Sequence, residues 1–149
     1  MNKSIEVVVV SPDVAATKAC PVIYLLHGYG GNACTWVGIK PDLPKIADEK
    51  GIFFVCPDGK NTWYWDSPLN ADVRYETFIS NELVKYVDSH YKTVADRKGR
   101  AITGLSMGGH GAMWNGLRHS DVFSAAGSTS GGVDIRPFPK KLGDERANR

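Results

Sequence analysis

The eleven residues ITGLSMGGHGA, positions 102–112, set one serine among four glycines directly after an apolar run. Glycine loses more backbone freedom on folding than any other residue, so surrounding Ser106 with Gly104, Gly108, Gly109 and Gly111 has a geometric reason. Residues 104–108, Gly-Leu-Ser-Met-Gly, fit the G-x-S-x-G pattern of a nucleophile elbow. There a sharp strand-to-helix turn lifts the serine hydroxyl while small residues two positions to either side let the backbones pass. The pattern is a weak signal in a chain with 16 glycines, and its context gives it weight. RAITGLS, 100–106, reads as a strand and MGGHGAMWNGLRH, 107–119, as a helix, which puts the serine oxygen near the positive end of a helix dipole. The competing reading is a glycine-rich β-to-α turn with a structural serine.

Outward from the elbow, IEVVVV (5–10) and VIYLL (22–26) are rich in β-branched residues and bounded by Pro or Gly, and GIFFVCPDG (51–59) repeats the pattern. FSAAGSTSG (123–131) is expected to be a fifth strand. Between strands, residues 71–91 place Val73, Phe78, Ile79, Val84, Val87 and Tyr91 around one helical face, with Asn70 or Asp72 positioned to cap its start. A shorter helix over about 42–50 ends at Gly51, a natural C-terminal cap. Strands and helices alternate, so the expected class is α/β with a mostly parallel sheet and helices on both faces.

The bulk properties fit one core. The chain has 149 residues, a formal charge of +2, 42% hydrophobic and 23% charged residues, which argues against a nucleic-acid-binding surface, a membrane-surface protein or a disordered chain. No apolar run approaches the roughly 20 residues needed to span a bilayer, and the opening MNKSIEVVVVSPD lacks a small-residue cleavage site. Cys20, Cys34 and Cys56 are an odd count without metal-ligand spacing and read as free thiols. The compartment stays open.

Chemistry beyond the serine comes from LLHGYGGN (25–32), a second strand end opening into glycines. Acyl transfer builds negative charge on a carbonyl oxygen, and backbone N–H groups fixed beforehand stabilise it without reorganising. The Met107 N–H is one natural donor and the Tyr29 N–H the best candidate for the other. A phosphate-binding reading fails because Asn61 follows Lys60 where a hydroxyl residue is required. His27, at the end of a buried strand, is read as ordering the neighbouring loop. DGKNTWYWDSP (58–68) packs Trp63, Tyr64 and Trp65 next to Asp66 after the third strand, where the loop either lines an acyl or sugar pocket or packs its rings on the core.

Together, GLSMGG, LLHGYGGN, PDGKNTWYWDSP, YETFISNELVKYVD and FSAAGSTSGG resemble the esterase D and tributyrin esterase group of α/β-hydrolases over residues 5–140. That branch also holds feruloyl and acetylxylan esterases, S-formylglutathione hydrolases and mycolyltransferases. The resemblance implies an α/β-hydrolase fold and hydrolysis of esters or thioesters through an acyl-enzyme, without metal or organic cofactor. It makes Ser106 the nucleophile, Met107 and Tyr29 the oxyanion amides, and Gly28, Gly30, Trp65 and Asp66 the border of the substrate cleft. The expected substrate is a small-molecule or polysaccharide-linked ester; a thioesterase or acyltransferase on the same scaffold is the alternative.

The rest of a triad is harder to find. In α/β-hydrolases the acid and then the histidine follow the serine on loops after later strands. After Ser106 come Asp121, Asp134 and Asp144, but only His110 and His119. His110 falls one turn into the helix, where its ring is expected to pack against the sheet. His119 ends that helix, 13 positions from Ser106, or roughly 20 Å along its axis. The acid and base are therefore not identified in the chain. The expectation is a single domain over 1–149, the N-terminal portion of a longer catalytic domain cut after about the fifth or sixth strand and completed by a complementary C-terminal segment. A non-catalytic binding or scaffold protein is the remaining alternative.

Overall fold

The computed structural model describes Met1 and residues 3–132, and the apolar runs form strands of one sheet. β1 (Val7–Val10), β2 (Val22–Leu26), β3 (Phe53–Pro57), β4 (Arg100–Gly104) and β5 (Ala125–Ala126) lie in the order β1-β3-β2-β4-β5. β1 runs antiparallel to β3, and the other pairings are parallel. Successive side chains of a strand point to opposite faces, which sorts the apolar residues into two cores. On one face Tyr24, Leu26, Val55 and Ile102 pack with Ile79, Leu83, Val87 and Met107. On the other, Leu25, Phe54 and Cys56 meet Leu43 and Ala47. Sequestered in that second layer, the Cys56 thiol is pushed up to about 12, first by burial and then by the charge of Cys34.

Helices cover both faces, as the alternation of elements requires. α1 (Thr35–Ile39) and α2 (Leu43–Lys50) follow β2, and α5 (Met107–Arg118) follows β4. Gly51 closes α2 in the left-handed region, φ 67° and ψ 45°, donating its N–H to Ala47 O at 2.8 Å. Between β3 and β4 lies a continuous helical run of α3 (Tyr75–Thr77), a π-helical stretch (Phe78–Leu83) and α4 (Val84–His90). The helix expected over 71–91 thus starts later, and its cap is not local. Asn70 accepts the Asp72 N–H at 2.9 Å and shapes a turn. The first helical turn is instead capped by Asp66 from the preceding loop, whose Oδ1 accepts the Thr77 N–H at 3.0 Å.

β5 is also shorter than the strand expected over 123–131. Ser124 N–H bonds Arg100 O, but the next bonds run from Gly127 to Ile102 O and from Thr129 to Gly104 O. The chain therefore advances three residues against two on β4 at the entry to β5, and regular pairing covers Ala125–Ala126. The backbone still tracks β4 as far as a bridge between Leu105 and Thr129.

The site is positioned by strand ends. Leu26 and Gly104 are register partners at the carboxyl ends of neighbouring parallel strands. β3 lies on one side of β2 and β4 on the other, so the connections diverge here, the position where open α/β sheets bind ligands. The elbow turns so tightly that a Cβ on Gly108 would lie 2.1 Å from Leu26 O, and one on Gly104 2.3 Å from the Gly108 backbone. Both contacts are with main chain, which cannot step aside. Gly108→Ala is expected to cost about 2–3 kcal/mol or to prevent folding, whereas Gly38→Ala, with nothing within 4 Å, should change stability by less than about 1 kcal/mol. Urea unfolding of the two variants checks the contrast.

Candidate active site

Ser106 stands between β4 and α5 at φ 55°, ψ −114°, a conformation that L-residues avoid and that persists only when surroundings enforce it. Enforcement comes from both sides. Its N–H donates to Thr129 O at 2.8 Å, and its carbonyl accepts the His110 N–H at 3.0 Å as the first turn of α5 closes. The residue is exposed, while Met107 beside it is fully buried. Met107 is the first residue of α5, so its N–H has no partner within the helix. Among the described residues it donates to none.

The loop after β2 comes directly over this turn. A Cβ on Gly28 would lie 3.6 Å from Ser106 Cβ and 3.3 Å from Leu105 O. Within the loop, Gly31 N–H donates to Gly28 O at 3.0 Å and Gly30 N–H to Asn61 Oδ1 at 2.8 Å. The Tyr29 N–H between them has no acceptor among the described residues, and the Tyr29 side chain is exposed. Ser106, Met107, Tyr29 and Gly28 are thus brought together, with Gly30 one residue farther along the same loop.

His27 lies buried beneath. Gly59 N–H donates to its Nε2 at 2.9 Å, so the ring proton sits on Nδ1 and is donated to Gly28 O at 2.7 Å. That carbonyl belongs to the same peptide as the Tyr29 N–H, so the imidazole fixes the plane of a candidate oxyanion donor. Tyr64 adds its hydroxyl, donated to His27 O at 2.8 Å, and its ring edge against the imidazole at 5.7 Å.

The aromatic loop packs inward. Trp63 and Tyr64 are buried, and both take positive φ, 60° and 61°. Asn115 of α5 donates to Tyr64 O at 3.1 Å, and burial drives the Tyr64 hydroxyl well above its ordinary range. Trp65 is half-buried against His110 at 5.5 Å and Trp114 at 5.8 Å. The Asp66 carboxylate is engaged with the first turn of α3, accepting from Thr77 Oγ1 at 2.5 Å and lying 3.6 Å from Arg74 Nη2.

Neither histidine after the elbow bonds Ser106 among the described residues. His110 lies in a ring cluster with Trp63 at 5.4 Å, Trp65, and Trp114 stacked at 6.1 Å, so its neighbours are aromatic rings rather than the bare sheet expected. His119 follows the last residue of α5 and lies 3.3 Å from Glu76 Oε1. Asp121 is exposed, and Asp134 and Asp144 fall outside the described residues. A cavity of about 460 Å³, lined by Val7, Val9, Phe78, Leu83 and Tyr91 among others, includes none of the residues around Ser106.

Compared with known proteins, residues 1–145 match the family model described as "Putative esterase". The chain belongs to this esterase family. It is 29% identical over 142 residues to an esterase of Mycobacterium tuberculosis, covering 91% of this chain and 30% of that protein. To an acetyl esterase of Caldicellulosiruptor saccharolyticus it is 32% identical over 102 residues, 68% of this chain and 37% of the relative. Among solved structures, a ferulic acid esterase superposes with a TM-score of 0.75 at 32% identity, over 95% of this chain and 59% of that one. The esterase-family chain therefore has an α/β-hydrolase-type fold and spans about a third of these curated relatives.

Sequence reasoning missed three parts of the site: the Thr129 carbonyl on the Ser106 N–H, the Asn61 amide on Gly30, and the Gly59 amide that sets the His27 tautomer. Each is a contact between segments far apart in sequence, and no spacing announces it.

Asp58, half-turned toward this network, accepts the Lys60 N–H at 2.8 Å and the Lys60 ammonium at 3.1 Å. Burial pushes its carboxyl up, but the Lys60 amide and ammonium outweigh burial and hold it below its ordinary value. A carboxyl lowered in the folded state stabilises above its unfolded value of 3.8 and loses that contribution as pH falls towards the folded value. Asp58→Asn should therefore be less stable than the parent at pH 7, with the difference shrinking below pH 4. Thermal melts across that range measure it.

Proposed function

We propose that the chain carries the nucleophile and oxyanion hole of a serine carboxylic-ester hydrolase acting on short acyl or carbohydrate-linked esters. The observation that carries the proposal is the exposed Ser106 on a strained turn, facing a loop whose Tyr29 amide has no acceptor among the described residues. The acetyl esterase and ferulic acid esterase relatives support the substrate class.

In this reading, Ser106 Oγ gives its proton to a base as it attacks the ester carbonyl carbon, and the carbonyl π electrons move onto oxygen. The N–H groups of Met107 and Tyr29 bind that oxyanion; a single such donor is typically worth about 3–4 kcal/mol. Collapse expels the alcohol, which takes up a proton, and leaves an acyl-serine that water then hydrolyses. Both amides are in place before the reaction, and the buried peptide planes beneath them do not need to move.

The base and acid come from outside the described residues, because His110 is enclosed by tryptophans and His119 is held by Glu76. Gly28 and Gly30 would line the cleft at the β2 end. Of the pair Trp65 and Asp66, Trp65 is left to border substrate, since Asp66 caps a helix. A triad-less serine retains only oxyanion and binding contributions, about 10³–10⁴-fold over water.

Treatment with a fluorophosphonate probe, followed by peptide mass measurement, should place the adduct on Ser106 and lose it in Ser106→Ala. p-Nitrophenyl acetate turnover should rise by orders of magnitude when the chain is supplied with the C-terminal part of a longer relative. Neither adduct nor turnover under either condition would favour a non-catalytic binding protein.

A further inference from the structure

We propose that Asn61 is a positioning residue for the oxyanion loop, holding the Tyr29 peptide over Ser106 through a single side-chain hydrogen bond. The inference rests on the reading of Ser106 and Tyr29 given above.

The argument begins with what does not hold that loop. Gly30 has φ +80° and, among the described residues, nothing within 4 Å of where a Cβ would stand, so side-chain packing there does not locate it. The Tyr29 side chain is 57% exposed and provides little anchor. A loop without packing keeps its shape only through its hydrogen bonds.

Those bonds fall on either side of Tyr29 Cα. On one side, the Gly28–Tyr29 peptide is held by its carbonyl, which accepts from His27 Nδ1 and from Gly31 N–H. On the other, the Tyr29–Gly30 peptide is held by its N–H, which donates to Asn61 Oδ1 at 2.8 Å. Fixing the peptide plane before and after one Cα fixes both of its soft dihedrals. The direction of the Tyr29 N–H then follows. Asn61 is the partner that closes this pair, and it arrives from the loop after β3, a different part of the chain.

The bond lies at the surface, and Asn61 is exposed. An exposed amide that loses a protein acceptor can turn to water at little net cost, so this contact adds little to stability. Its consequence is geometric. The Asn61 backbone is itself held in place: Lys60 before it has φ 51°, and the Lys60 N–H bonds Asp58. After it, the Thr62 hydroxyl donates to Gly59 O at 2.6 Å and Gly59 N–H docks on His27. Two loops of distant origin thus form one rigid unit, and Asn61 is its outermost contact.

The test compares the parent with Asn61→Leu, which has no acceptor, Asn61→Ser, which is too short to reach, and Asn61→Asp, which keeps a side-chain oxygen. Melting temperature, backbone amide exchange at Gly30 by NMR, and the second-order rate of fluorophosphonate attachment to Ser106 are measured on each. N61L and N61S should melt like the parent, lose at least tenfold of Gly30 protection and label at least tenfold more slowly. N61D should keep the protection and label faster than either. Parent-like labelling in both N61L and N61S overturns the inference, as does equal slowing in N61D. If the parent takes no probe at Ser106 even when supplied with the C-terminal part of a longer relative, the nucleophile reading fails; Gly30 exchange as fast in the parent as in N61L overturns the Asn61 clamp by itself.

Discussion

Three segments of main chain cross at a distance that no side chain could tolerate. A Cβ on Gly104 would lie 2.8 Å from Leu26 O, and one on Gly108 2.1 Å from the same atom. Because β2 and β4 end in register at Leu26 and Gly104, the chain leaving β4 must turn under the chain leaving β2. Glycine at both positions lets α5 begin immediately, which puts Ser106 in its strained conformation and leaves the Met107 amide at a helix start. The entropic cost of the glycines is met by the buried residues around them, with Leu26, Ile102 and Met107 all essentially inaccessible. Each such side chain contributes roughly 1.5–3 kcal/mol by burial, enough to hold one residue in an unfavourable region.

Rigidity around the serine then decreases outward. Deepest is the imidazole of His27, with both ring nitrogens bonded and Tyr64 against its ring. Above it the Gly28–Tyr29 peptide inherits that order through one carbonyl. Only the outer rim, Gly30, depends on an exposed contact. Such a gradient suits a site that binds an anion formed only during reaction, since donors fixed in advance cost nothing to reorganise. The positive φ values of Lys60, Trp63 and Tyr64 belong to the same construction: they curl the loop after β3 so that its amides and rings reach the loop after β2.

What was legible in sequence was whatever local pattern controls. Side chains of Val7–Val10, Val22–Leu26 and Phe53–Cys56 enter the two cores in turn, as β-branched and aromatic runs with a strand's period of two require, and the elbow follows from glycines flanking one serine. The parts that were not legible are tertiary. Asp66 caps a helix that begins nine residues later, because the intervening loop doubles back and pairs Asp66 with Arg74. The short span of β5 depends on its pairing with β4, which composition does not encode. Aromatic rings at 63–65 allow either a pocket wall or a core plug, and Trp63 and Tyr64 are buried as plugs; α5 makes room with Gly111, where a Cβ would lie 2.4 Å from the Tyr64 ring. A small residue on one segment made room for a large one on another.

The electrostatics of α5 complete the arrangement. Its first turn carries no acidic residue, so the turn itself does not offset the positive end of the helix dipole beside Ser106. Its last turn carries Arg118, with His119 next to it, where cations favour the negative end. Both are held by the buried Glu76, at 2.5 Å from Arg118 Nε and 3.3 Å from His119 Nε2. Glu76 would be costly to bury alone, and Arg118 compensates it locally, so its charge cancels at the far end of the helix instead of opposing the potential at the near end. The helix is therefore anchored by ion pairing at one end and by backbone contact at the other. The other end is the one at which, in the mechanism proposed above, a tetrahedral oxyanion would form.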